Sequence, residues 1–68
     1  MFKERFKNLR IENSIKQEAL AKFLNITIST VSMYENGIRE PSLETLVKIS
    51  EFFNVTTDYL LGKTDKKD

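Results

Sequence analysis

Apolar residues in the first dozen positions fall at Phe2, Phe6 and Leu9, the i, i+4, i+7 spacing of one helical face, with Lys3, Glu4, Lys7 and Glu12 on the other side. This spacing predicts a first helix ending near Asn13-Ser14. The next periodic run, Gln17 to Leu24, sets Leu20, Ala21 and Leu24 on one stripe with Phe23 beside it. Asn25 follows, a residue type that tolerates the left-handed conformation closing a helix. Thr27 is a good N-cap for a third helix, Ile28 to Glu35, and Gly37 supplies its stop. Ser42, after Pro41, caps a fourth helix whose stripe is Leu43, Leu46, Val47, Ser50 and Phe53, widened by Ile49, with Asn54 as a left-handed stop. Thr56 caps a short fifth helix, Thr57 to Leu61, closed by Gly62. Residues 63–68 are charged and lack apolar anchors, so a flexible tail is expected there. No strand alternation and no repeat is present. The expected fold is all-α, with a core of Phe6, Leu9, Leu20, Leu24, Ile26, Val31, Tyr34, Leu46, Ile49, Phe53, Val55 and Leu60.

Length and composition narrow the reading. At 68 residues the chain is one domain at most. A domain so short buries only about 60% of the surface its unfolded chain exposes, so few apolar residues are spare. Cysteine and histidine are both absent, which removes the usual soft metal ligands; no metal and no cofactor is expected. The basic start is not followed by an unbroken apolar stretch, and no run approaches the length of a membrane span. The expectation is therefore a cytoplasmic protein without a membrane partner. The net charge of +1 points only weakly toward nucleic acid. Met1 to Asn13 carries four basic and two acidic residues, and Ser42 to Asp68 four basic and five acidic, so any basic face must come from the first half together with Arg39.

The segment most informative about function is Gln17 to Asn36, QEALAKFLNITISTVSMYEN. Its two short helices are joined by a tight turn and must cross steeply. Ala21 supplies the small residue that such a crossing needs, and Leu20, Leu24, Ile26, Val31 and Tyr34 point inward. The outward side of the third helix presents Ile28, Ser29, Ser32 and Met33, with Thr30 near the edge, and carries no charge from Thr27 to Tyr34. A solvated helix face normally carries Lys and Glu. Hydroxyl and methyl groups suit a helix placed in the DNA major groove, where they can meet base edges and thymine methyls. A helix that contacts a partner protein would look similar.

The residues Leu9-Arg10, Gln17, Leu20-Ala21, Leu24, Val31-Ser32, Tyr34-Glu35-Asn36-Gly37, Pro41-Ser42, Leu46, Ile49, Val55 and Asp58-Tyr59-Leu60-Leu61-Gly62 occur in an order and spacing that resembles the Cro/cI-like (XRE-family) helix-turn-helix domains of phage repressors and bacterial regulators. The resemblance runs from Phe6 to Gly62. It implies a compact five-helix, lambda-repressor-like domain over residues 1–62, with the helix-turn-helix motif at 17–36. It further implies double-stranded DNA as partner, read by Ile28, Ser29, Ser32 and Met33. Lys16, Gln17, Thr27, Thr30, Asn36, Arg39 and Ser42 would touch the backbone, and an ion pair between Arg10 and Glu35 would tie the first helix to the third. Asn25 stands where the family often has Gly. Lys16 stands where it often has a capping residue, and Lys cannot cap but can reach a phosphate. Regulators of this kind usually bind a palindromic operator as homodimers through the surface near the fourth and fifth helices, where Phe52, Tyr59 and Leu61 are candidates. A fragment of this size can still be monomeric in solution.

Three other classes compete with this reading. An RNA binder would need aromatic platforms for single-stranded bases, where the third helix offers only Tyr34, assigned to the core. An enzyme lacks support: there is no His or Cys, no glycine-rich phosphate loop, and the Ser and Thr residues have no visible base partner. A protein-interaction module of the same fold, such as an antitoxin or an anti-repressor-type partner binder, would use the uncharged third helix on protein. Salt separates it from a DNA binder, whose affinity falls steeply as counterions are added.

Overall fold

The first helix forms where the apolar spacing places it. In a computed structural model that describes residues 1–68, α1 spans Phe2–Glu12, α2 Gln17–Leu24, α3 Ile28–Glu35, α4 Leu43–Phe53 and α5 Thr57–Leu60, with no strand. Side-chain caps start three of them. The hydroxyls of Thr27, Ser42 and Thr56 accept the backbone N–H groups of Thr30, Thr45 and Tyr59 at 3.0, 3.2 and 3.0 Å. Each bond satisfies a donor that the first turn would leave unpaired. Asn25 and Asn54 close α2 and α4 in the left-handed region, at φ 58° and 56°, as the sequence predicts. Ser14, at φ 56°, adopts the same region in the α1–α2 connection without any advance signal in the sequence.

The core gathers Phe6 and Leu9 from α1, Leu20, Ala21 and Leu24 from α2, Val31 and Tyr34 from α3, Leu46 and Ile49 from α4, and Val55 and Leu60 from the final turn and helix. Phe6, Val31, Leu20, Ile49 and Leu60 are wholly buried. Tyr34 meets Phe2 and Phe6 edge-on, at ring separations of 6.4 and 5.9 Å, a favourable geometry for aromatic pairs.

Several expectations change. Ile26 and Phe53 pack against the core but are only half-buried. Leu43 and Val47, assigned to the inward stripe of α4, are exposed at 82% and 47%, because α4 buries the narrower face of Leu46, Ile49 and Ser50. Leu61 caps α5 from outside it. The charged segment 63–68, expected to be flexible for want of apolar anchors, makes polar contacts with the body. Arg5 donates to the carbonyls of Tyr59 and Thr64, pairs with Asp65 at 2.8 Å, and lies 4.1 Å from the Tyr59 ring centre. The Lys67 carbonyl accepts the Thr56 N–H at 2.8 Å, and the Lys67 ammonium meets Glu12 at 3.0 Å, a bond that raises its pKa.

Candidate nucleic-acid interface

The turn between α2 and α3 fixes how the two helices present themselves. Left-handed Asn25 reverses the chain, and the Ile26 N–H bonds back to the Ala21 carbonyl at 3.0 Å, satisfying an end carbonyl of α2. Thr27 then starts α3 at once. Ala21 is 3% exposed, on the buried side of α2 with Leu20 and Leu24.

α3 buries Val31, Tyr34 and Glu35 and turns its other side outward. Ile28 is 48% exposed and Ser29 is exposed. Ser32 and Met33, expected to be exposed, are half-buried. The chain after α3 folds back on it, with the N–H groups of Ile38 and Arg39 bonding to the Met33 carbonyl at 3.0 and 3.4 Å, while Asn36 Nδ2 donates to Ser32 Oγ at 3.3 Å.

Beside α3 a polar network joins three helices. Arg10 Nε donates to Glu35 Oε2 at 2.5 Å, and a second guanidinium nitrogen reaches Glu35 Oε1 at 3.2 Å. The side chains are 15% and 4% exposed. Gln17 Nε2 also donates to Glu35 Oε1, at 3.1 Å, and Arg10 bonds the Ile15 carbonyl at 3.0 Å. Gln17, expected at a phosphate, is therefore positioned through the ion pair, with one amide hydrogen left over. This network floors an open cleft of about 460 Å³ lined by no apolar residue and walled by Lys7, Lys16, Ser32 and Asn36.

The other expected backbone-contacting groups divide by what their polar atoms already do. Lys16 and Arg39 are exposed and make no ion pair. The hydroxyls of Thr27 and Thr30 are 2.8 Å apart, so one bonds the other and a single hydroxyl hydrogen remains free. The Ser42 hydroxyl, besides capping, donates to Thr45 Oγ1 at 3.1 Å. The sequence reading placed Lys7 on a solvated face and missed its presence in the cleft. The available signal was its register, four residues after Lys3 and three before Arg10.

A family model described as Helix-turn-helix matches residues 6–60. The chain is 42% identical over 62 residues to the HTH-type transcriptional regulator ImmR of Bacillus subtilis, covering 91% of this chain and 49% of that one. Among solved structures it resembles a transcriptional regulator from Listeria innocua, with a TM-score of 0.88 and 31% identity over 91% of this chain and 58% of that one. It also resembles the P22 c2 repressor in complex with a synthetic operator, with a TM-score of 0.83 and 30% identity over 88% of this chain and 91% of that one. The chain spans about half the length of the curated relatives it matches. No helix is long and apolar enough to cross a membrane.

Proposed function

The chain belongs to the helix-turn-helix family, and on that premise we propose that residues 1–62 bind double-stranded DNA sequence-specifically in the cytoplasm, as the DNA-binding unit of a transcriptional repressor that acts by binding and not by catalysis. The observation that carries this reading is α3 itself, whose outward face is uncharged and whose exposed Ile28 and Ser29 are flanked by cations free of acidic partners, Lys16 and Arg39. In this reading Ile28, Ser29, Ser32 and Met33 face base edges in the major groove. Lys16, Gln17, Thr27, Thr30, Asn36, Arg39 and Ser42 hold phosphates, which set register without reading sequence. The free amide hydrogen of Gln17 and the free hydroxyl hydrogen of the Thr27–Thr30 pair are the donors available for that purpose. That the structurally similar P22 c2 repressor is found in complex with a synthetic operator supports double-stranded DNA as the partner. Selection of bound sequences from random duplex DNA should enrich one half-site. Recovery of no preferred sequence would reject the reading.

The operator is palindromic in this reading, and two copies occupy half-sites one helical turn apart, about 34–36 Å. Of the residues expected at the dimer surface, Phe52 packs on Phe23 and Phe53, and Tyr59 is covered by Arg5. Leu61 remains 48% exposed beside Leu43 on a small apolar cleft that Pro41 and Leu46 also line. This cleft is the better contact between copies, since exposed contiguous apolar surface favours association. Sedimentation on the selected palindrome should give two chains per duplex, and Leu43→Glu should reduce this to one. A parent protein that stays one-to-one would reject the dimer.

A further inference from the structure

α5 is a single turn of four residues, Thr57–Leu60. A helix so short has little stability of its own, because its first turn fixes several dihedrals for one hydrogen bond. Leu60 anchors its underside in the core, wholly buried. Both of its ends are tied by groups outside it. At the start, the N–H of the capping residue Thr56 donates to the Lys67 carbonyl at 2.8 Å. At the end, Arg5 of α1 donates to the Tyr59 carbonyl at 2.8 Å and lies over the Tyr59 ring. The same guanidinium reaches the Thr64 carbonyl and the Asp65 carboxylate. The Arg5 side chain is only 15% exposed, although that of Asp65 stands in solvent. Lys67 in turn meets Glu12, seven residues after Arg5 and on the same face of α1. Residues 63–67 are thus held against α1 and against both ends of α5. The turn that leads into them is tightly fitted: Gly62 has φ 80°, and a Cβ there would overlap the Met1 side chain.

We infer that residues 63–67 are a strap, with Arg5 as its fastening, that holds α5 in place and so presents Leu61 to a second copy of the chain. Leu61 follows α5 directly and, with Leu43, lines the cleft assigned above to the contact between copies. The effect on that contact rests on the proposed pairing of copies; the strap itself does not. Releasing the strap lets α5 fray, since local opening costs least where few buried contacts hold a segment. It leaves α2 and α3 unchanged, because none of the strap's partners lies on them.

Amide hydrogen exchange of the free 68-residue chain tests the strap, and sedimentation on the selected palindrome tests its effect on pairing. The variants are Arg5→Met, Asp65→Lys and, as a control, Lys66→Gln, which removes an exposed and unpaired charge from the same segment. In the parent the Thr56 amide, whose acceptor is the Lys67 carbonyl, should exchange slowly. Arg5→Met should speed its exchange about tenfold or more, and that of Leu60 and Leu61 with it, while Val31 in α3 keeps its protection. Asp65→Lys should act in the same direction more weakly, since an exposed ion pair contributes little, and it leaves the core intact. Lys66→Gln should change nothing. On DNA, Arg5→Met and Asp65→Lys should both raise the protein concentration needed to seat a second chain. A simple charge effect would move them in opposite directions, because the first makes the chain less positive and the second more so. A Thr56 amide that exchanges at the rate of an unstructured residue in the parent, or that stays protected in both variants, overturns the strap. Lost protection with unchanged pairing overturns its link to the contact between copies. A parent that stays one-to-one on the palindrome rejects the pairing and that link together, and the exchange measurement, made without DNA, still decides the strap.

Discussion

Replacing Arg10 with methionine is expected to destabilise the domain by about 3–5 kcal/mol, the range for removing one partner of a buried ion pair. The Glu35 side chain is 4% exposed and would keep only the Gln17 amide as a donor. A buried carboxylate with one neutral partner is far from satisfied. Arg10 also bonds the Ile15 carbonyl in the connection that holds left-handed Ser14, so the same substitution loosens the approach to α2. Total stability of small domains is about 5–15 kcal/mol, which makes this a large fraction. Glu35→Gln should do less harm, because the Arg10 side chain is 15% exposed and can turn its charge toward water. Urea denaturation of both single variants and of the double variant Arg10→Met, Glu35→Gln measures the coupling. The double variant should lie well short of the sum, since removing both charges leaves neither unpaired. Strictly additive losses would mean that the two side chains do not act together.

That pair also marks how far the sequence could be read. Helix positions were legible because local signals agreed with tertiary demands: Thr27, Ser42 and Thr56 cap where hydroxyl residues precede an apolar stripe, and Asn25 and Asn54 end helices where a left-handed residue is needed. What the period cannot give is how wide a face the neighbouring helices cover. Leu43 and Val47 therefore read as part of the apolar stripe of α4 and stand largely in solvent, because the helix buries only Leu46, Ile49 and Ser50. Residues 63–68 read as unanchored because they hold no apolar side chain, and their contacts are polar ones made by Arg5, Glu12 and Thr56, 55 to 60 residues away in the chain apart from Thr56. Lys7 was missed for a related reason. Its neighbours in the cleft come from α2 and α3, and on α1 alone a lysine opposite the core looks like solubility. Gln17 sits at the expected end of α2, while the acceptor that orients it lies 18 residues on.

Changing Ile28, Ser29, Ser32 and Met33 together to alanine is expected to remove most sequence preference and leave the protein folded and still able to bind DNA. The fold should survive because none of the four is fully buried and alanine is the best helix former, so α3 gains propensity while keeping its Thr27 cap. Non-specific binding should survive because Lys16 and Arg39 remain. The losses should be unequal. Ile28 and Ser29 stand farthest out, at the start of α3, whereas Ser32 accepts a bond from Asn36 inside the polar cleft and Met33 is half covered by the loop that follows. Ile28→Ala and Ser29→Ala should therefore account for most of the effect of the quadruple variant. Each good base contact discriminates by about 1–3 kcal/mol. Two such contacts are worth at least about twentyfold, at 1.4 kcal/mol for each factor of ten. Competition between the selected half-site and mixed-sequence duplex measures the ratio directly. Ile28 has no polar atom to bond a base, so its contribution should depend on a thymine methyl, and replacing that thymine by uracil should weaken the parent while leaving Ile28→Ala unaffected. A folded quadruple variant that kept the parent's preference would move sequence reading off α3 altogether, and the exposed apolar start of that helix would then fit the surface of a protein partner better than a groove of DNA.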